Sequence, residues 1–216
     1  DAHSPVKVAR EANLFNTELS FQDIRNAIKT RQGFLGTIEF FPEEGKYHFD
    51  GHRACNISLD PDETQKLVND LCPVCGKKLT IGDMHRVEEL ADRERGFRPD
   101  NASDFISLIP LTEILSEITG TGENTKIVAN LYEKIINKFE SELNFLMNIP
   151  FEDIKINFGE VLSEAVSRMR NGNVRRIAGY DGEFGRIFLF DDGEIDNFSN
   201  ENFLFERKIK KRKSVT

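Results

Sequence analysis

No run of this 216-residue chain approaches the roughly 18 consecutive apolar residues that a helical membrane span requires, and its first residues hold no apolar signal-like segment. No internal repeat is present. Cysteine is scarce, at three residues. An odd number of cysteines in paired turns argues against a disulfide framework and for a reducing, cytoplasmic setting in which a metal is the partner. A Walker-type phosphate loop is also lacking. Gly120-Thr121-Gly122-Glu123-Asn124-Thr125-Lys126 lacks the Gly-x4-Gly-Lys-Ser/Thr spacing and follows a helical pattern where a strand is required. It reads instead as a helix stop followed by an N-cap.

What is present is a soluble, globular composition, with 38% hydrophobic residues to fill one large or two small cores. The formal charge of −8 hides an asymmetry, because residues 207–213 hold six of the 29 basic groups. Residues 1–206 therefore carry 23 basic against 37 acidic groups, a net of −14. An acidic body argues against diffuse nucleic-acid binding, so any such contact must come from a local basic patch. The group Arg168, Arg170, Arg175, Arg176 and Arg186 is the candidate, read either as phosphate contacts or as a solvated face. The basic tail, 207–216, reads as a solvated, disordered end.

All three cysteines fall within the 24 residues from His52 to Cys75. His52-Arg53-Ala54-Cys55 and Cys72-Pro73-Val74-Cys75-Gly76 form two ligand pairs of x2 spacing with 16 residues between them. Two such turns, about 15–20 residues apart, can wrap one tetrahedral zinc ion. Free cysteines often simply pack in a core, but incidental ones need not fall in two paired turns. Gly76 lets backbone amides turn toward the thiolates. His48 is the alternative fourth ligand; His52 is preferred because His48 lies in an expected strand.

Along the chain, Ser4-Pro5 resembles a helix start, and Ser20-Phe21-Gln22-Asp23 opens a firmer helix that stops at Gly33. Phe34–Phe41, a turn at 42–45 and Lys46–Phe49 read as strand, turn and strand. Asp60-Pro61 starts a short helix through Leu67 and Val68, Lys77–Ile81 reads as a returning strand, and Met84–Arg93 as a charged helix. Residues 96–103 have linker composition. Helices follow at 111–118, 125–139, 141–147 and 159–170, and then a β-hairpin over 174–190 around Tyr180-Asp181-Gly182. Asp1-x-His3 could ligate metal from a strand end or be a surface turn. His85, Arg86, Glu88, Glu89 and Arg93 read as a solvated, salt-bridged face.

Together, several of these stretches resemble the C-terminal portion of the endonuclease Q family: 1–5 (DAHSP), 10–13 (REAN), 17–20 (TELS), 33–48 (GFLGTIEFFPEEGKYH), 51–53 (GHR), 72–76 (CPVCG) and 85–93 (HRVEELADR). The resemblance is dense over residues 1–93 and returns at Gly179-Tyr180-Asp181-Gly182, where the family has Pro before the Gly and this chain has Ala178.

The resemblance implies an α+β chain. It would comprise the C-terminal end of a PHP, barrel-like metallohydrolase domain (1–41), a small zinc-binding α+β domain (42–95) and a mainly helical domain ending in the hairpin (96–206). It implies a DNA-repair endonuclease that cuts 5′ to deaminated bases, uracil or hypoxanthine, with Asp1 and His3 as the final Asp-x-His pair of a catalytic Zn²⁺, Mn²⁺ or Mg²⁺ cluster. The remaining ligands of that cluster, including a His-x-His segment, do not occur in this sequence. The 216 residues are therefore expected to be part of a longer protein and to be inactive alone. Structural Zn²⁺ on His52, Cys55, Cys72 and Cys75, and damaged DNA as partner, complete the expectation. A zinc-stabilised nucleic-acid-binding module, another PHP phosphoesterase and a helicase are the competing readings.

Overall fold

The computed structural model describes Pro5 and residues 8–198. Asp1, His3 and the 207–216 tail lie outside them. The chain divides into two compact units, one of residues 11–105 and 176–187, the other built on 106–175 and 188–198. The expected segments 1–41, 42–95 and 96–206 are thus grouped differently: 11–41 falls in one unit with 42–95, and the hairpin tip joins them.

In the first unit, strand β1 (Ala12–Phe15) pairs antiparallel with β2 (Phe34–Glu39), Ala12 opposite Ile38 and Leu14 opposite Gly36, with a register shift at Phe15. Helix α1 (Phe21–Thr30) connects them. Its cap is the one expected, the Ser20 side chain accepting the Asp23 N–H at 3.1 Å. Neither β1 nor the third strand of this sheet, β5 (Phe105–Ser107), was expected, because each is only three or four residues long and carries little period-two pattern.

The expected strand Lys46–Phe49 is instead a turn, and the strand begins later, as β3 (Asp50–His52). The carbonyls of Glu43, Glu44 and Lys46 accept N–H bonds from Gly179, Gly185 and Gly182, at 2.8, 3.1 and 3.0 Å, so the hairpin tip overrides the local alternation. Strand β3 pairs antiparallel with β4 (Ile57–Leu59). Helix α2 (Pro61–Thr64) has the capping box between Asp60 and Glu63 but lasts one turn instead of reaching Val68. Asn69 and Asp70 take left-handed conformations, which turn the chain back toward Cys72. Residues 77–81 form isolated bridges, Leu71 to Lys78 and Gly51 to Thr80, instead of a strand. Helix α3 (Asp83–Leu90) follows, and Arg95 ties it to α2 by bonding both Glu88 and Asp60.

The second unit is helical: α4 (Leu111–Thr119), α5 (Lys126–Phe139), α6 (Glu142–Met147), α7 (Phe151–Phe158) and α8 (Glu160–Arg170). Their apolar stripes fill one core, with Leu111, Ile114, Leu115, Ile118, Val128, Ile135, Phe145, Ile154, Leu162 and Val166 among the residues that are wholly or almost wholly buried. Helix α7 was not expected. Pro150 reads as a break, but it stands as the N-cap of α7, where its missing N–H costs nothing. Strands β6 (Arg175–Ile177) and β7 (Arg186–Phe188) form the expected hairpin. Among the described residues no helix is long and apolar enough to cross a membrane.

Half-buried polar anchors close this helical unit. Glu142 accepts the first N–H of α4 at 2.7 Å and the Tyr132 hydroxyl at 3.0 Å. Glu117 accepts the N–H groups of Leu189 and Phe190, and burial pushes its carboxyl above the usual range. Arg170 donates to the carbonyls of Leu146, Ile149 and Phe145 at 2.6, 2.8 and 2.9 Å, satisfying the open end of α6. Arg170→Ala strands those oxygens, and urea titration is expected to show a loss of about 2–4 kcal/mol. Arg170→Lys, with no planar fork to span three acceptors, should recover less than half of it.

Candidate metal centre

The first ligand turn grows out of β3. His52 ends that strand, Arg53–Cys55 make one tight 3₁₀ turn, and Asn56 in the left-handed region releases the chain into β4. The second turn closes with the Gly76 N–H on the Cys72 carbonyl at 2.9 Å, Gly76 taking a φ of +70°. Cys72 also donates its N–H to the Lys77 carbonyl at 2.7 Å, which starts the bridge back along 77–80.

These turns bring His52, Cys55, Cys72 and Cys75 together, all four donor atoms lying within 4.8 Å of one another. The Cys75 Sγ is 3.4 Å from His52 Nδ1. Zinc bond lengths of about 2.0–2.1 Å to nitrogen and 2.3 Å to sulfur put tetrahedral donors about 3.5–3.8 Å apart, so the spacing suits one such ion with little movement. His48 is not in the group; its ring packs on Phe49, with centroids 5.0 Å apart. Four protein donors would leave a bound ion no open position for water, the arrangement of a structural and not a hydrolytic metal site.

Two of the thiols are shifted in opposite directions. Cys55 is pushed up to about 11, first by its hydrogen bond with Cys75 and then by burial. At Cys72 burial also pushes up, but the N–H groups of Cys75 and Val74, with His52, outweigh it and bring the thiol to about 6. A divalent ion would let all three be thiolates.

Two supports were not legible as such. Asp50, fully buried, accepts the Gly82 N–H and holds His85 Nδ1, each at 2.7 Å. His85 was expected on a solvated face; it is instead a core anchor. Asp181, at the hairpin tip, accepts the Arg53 N–H at 2.6 Å and the Thr80 hydroxyl. The one signal for it in the sequence was the Gly179–Gly182 stretch.

The arginine candidates have separate partners. Arg168 forks onto Glu194 at 2.6 and 2.9 Å, also bonding Glu164 and the Leu189 carbonyl, and it holds Glu194 down at about 2. Arg170 is taken up by helix α6. Arg175 faces the exposed Asp191 and Asp192 at 3.7 and 3.3 Å, and Arg176 meets Glu43 at 2.9 Å. Arg186 is exposed.

Comparison with known proteins matches residues 110–173 to a family described as the MJ0043 C-terminal domain. The MJ0043 protein of Methanocaldococcus jannaschii is 31% identical over 198 residues, covering 87% of this chain and 24% of that protein. Among solved structures, the lesion-specific endonuclease PfuEndoQ of Pyrococcus furiosus superposes with a TM-score of 0.79 at 29% identity, over 93% of this chain and 50% of that one. A complex of endonuclease Q with a 27-mer duplex carrying an abasic lesion at its active site gives 0.73 at 28% identity, over 92% and 49%. The chain thus spans about a quarter of the MJ0043 protein and about half of the two solved chains.

Metal removal is expected to open the 50–93 region while the helical unit stays folded. Limited proteolysis checks this: Cys72→Ser should lose both zinc and protease resistance there. A second expectation concerns pH. The hydrogen bond to Asp50 raises the His85 pKa above its ordinary 6.5. A raised histidine contributes stability that is complete below about 6.5, the unfolded value, and is lost as pH climbs through the higher folded value. With Zn²⁺ held in excess, the stability gap between wild type and His85→Gln should therefore shrink from pH 6 to pH 8.

Proposed function

The chain belongs to the endonuclease Q family, and on that premise we propose that it forms part of a DNA-repair endonuclease that hydrolyses the phosphodiester 5′ to a deaminated base such as uracil or hypoxanthine. The observation that carries this reading is the likeness, over nearly the whole chain, to a lesion-specific endonuclease at 29% identity. The second solved relative, bound to a lesion-bearing duplex, supports DNA as the partner.

On this reading the 216 residues contribute recognition and scaffold. Asp1 and His3 would be one ligand pair of the catalytic cluster, in which divalent metals supply an activated water and stabilise charge on the phosphate. Segment 1–41 would end the PHP domain, 42–95 would be the zinc domain and 96–206 the helical DNA-binding domain. The closed set His52, Cys55, Cys72 and Cys75 would hold structural Zn²⁺, keeping the surrounding turns rigid without taking part in the chemistry. The base to be recognised must leave the stack, a step that costs least for a poorly paired nucleotide.

Arg175 is the stronger candidate for a backbone contact, because its partners Asp191 and Asp192 are exposed and such pairs exchange easily for phosphate; Arg176 is a second candidate, held by a single pairing with the mostly covered Glu43. Arg168 and Arg170 would have to give up several internal bonds. A zinc-stabilised binding module without catalysis remains the second reading, favoured by the closed donor set.

Incubating the purified chain with uracil-containing duplex and Mg²⁺, Mn²⁺ or Zn²⁺ should give binding without cleavage; scission would refute the inactive-alone part of the proposal. Replacing Arg175 and Arg176 should flatten the plot of log K against log salt by about one unit per lost phosphate contact. An unchanged slope would remove them from the interface.

A further inference from the structure

We propose that Asp181 is a positioning residue of the metal centre, a carboxylate that fastens the first ligand turn directly to the segment leaving the second. The inference rests on reading His52, Cys55, Cys72 and Cys75 as a single metal site.

The hairpin tip is a two-residue turn in which Tyr180 and Glu183 exchange both backbone bonds, at 3.0 and 2.8 Å, with Asp181 and Gly182 at φ of +44° and +84°. Two successive positive φ values make a type I′ turn, and Asp-Gly is the pair that tolerates it best. At that tip the two oxygens of Asp181 face different parts of the metal site. Oδ2 accepts from Arg53, the residue after His52 and the first of the turn that ends at Cys55, at 2.6 Å. Oδ1 accepts the Thr80 hydroxyl at 2.5 Å. Thr80 in turn exchanges backbone bonds of 2.9 and 2.8 Å with Gly51, the neighbour of His52, and stands five residues after Cys75. The Thr80 hydroxyl and then the Arg53 N–H hold the Asp181 carboxyl below the usual range, so both acceptors carry charge at neutral pH.

Tyr180 reinforces the tie. A side chain on Gly51 would meet the Tyr180 ring at 2.4 Å, so the ring lies directly on the strand that delivers His52. Its hydroxyl donates at 3.1 Å to Asn56, the residue that closes the first ligand turn. The ligand turns are short, exposed at Cys75, and separated by 16 residues; nothing within them forces the donors to converge. A charged acceptor that orders the first turn before the metal arrives removes part of the entropy cost of assembling the site, and by linkage the metal stabilises the hairpin tip in return.

The test uses the full 216-residue chain and the metals Zn²⁺ and Co²⁺ alone. Zn²⁺ affinity is read by competition with a chelator of known affinity, and donor geometry by the visible absorption of the Co²⁺-loaded protein. Asp181→Ala should weaken Zn²⁺ binding about 10–100-fold and alter the Co²⁺ spectrum. Asp181→Asn keeps the size, the tolerance for positive φ and one acceptor, and should recover part of the loss. Glu117→Gln loosens the helical unit and should leave Zn²⁺ affinity at the wild-type value. Unchanged affinity and spectrum in Asp181→Ala would overturn the proposal, as would an equal loss in Glu117→Gln, which would make the effect a general one. If Asp181→Ala does not fold, Thr80→Val decides: it removes one of the two bonds, and wild-type affinity in it would overturn the proposal. A wild-type chain that binds no Zn²⁺ at these residues would bring down the metal reading itself, a result distinct from all of these.

Discussion

Four side chains from two short turns must meet at one point, and the unit of residues 11–105 and 176–187 depends on that convergence. Its buried apolar side chains are few, chiefly Ala27, Ile38, Phe41, Leu79 and Tyr180, and its strands are only three to six residues long. A core that small supplies little hydrophobic stabilisation, and such units rely on a metal or on polar ties. Here the ties are charged and specific: Asp50 to His85 and Gly82, Arg95 to Asp60 and Glu88, Asp181 to Arg53 and Thr80. The three sulfurs lie together with one thiol pushed up and one pulled down, and a divalent ion would let the donor set complete the scaffold around it.

The helical unit is organised by the opposite means. Amphipathic helices bury Leu, Ile, Val and Phe side chains in one continuous core, and a few half-buried charges serve the backbone. Glu142 and Glu117 satisfy N–H groups, and Arg170 satisfies carbonyls. Breaking one of these leaves part-buried backbone groups unpaired, which makes Glu117, Glu142 and Arg170 structural residues. That constraint also bears on DNA contacts. An arginine with all three guanidinium nitrogens already bonded, as in Arg168 and Arg170, is a poor phosphate ligand, whereas Arg175, facing the exposed Asp191 and Asp192, is freer to exchange partners.

Much of this molecule was legible in the chain, and the reasons differ from element to element. The two x2 ligand pairs were readable because a metal imposes its spacing directly on the residues that bind it. Helices α1, α4, α5, α6 and α8 were readable because their caps and apolar stripes are local. Helix α7 was hidden by Pro150, whose role depends on whether it stands inside a helix or at its start. The expected strand at 46–49 failed because three carbonyls beside it are claimed by residues more than 130 positions later. Helix α2 was expected too long because its cap is strong, but nothing in the cap encodes the reversal at Asn69 and Asp70 that carries Cys72 to the metal site.

The two ligand turns mark the boundary between what sequence and tertiary structure each decide. The sequence alone determined the donor types, their pairing and the amphipathic helices, since each depends on residues within one turn or one helical period. Only the tertiary structure decided that His85 is an anchor for a buried carboxylate, that Arg168 and Arg170 are held internally, and that Asp181 reaches across 128 residues of sequence to the first ligand turn. Each of those outcomes is a choice between competing partners for one polar group, and the partner that wins is set by distances in space that no local pattern records.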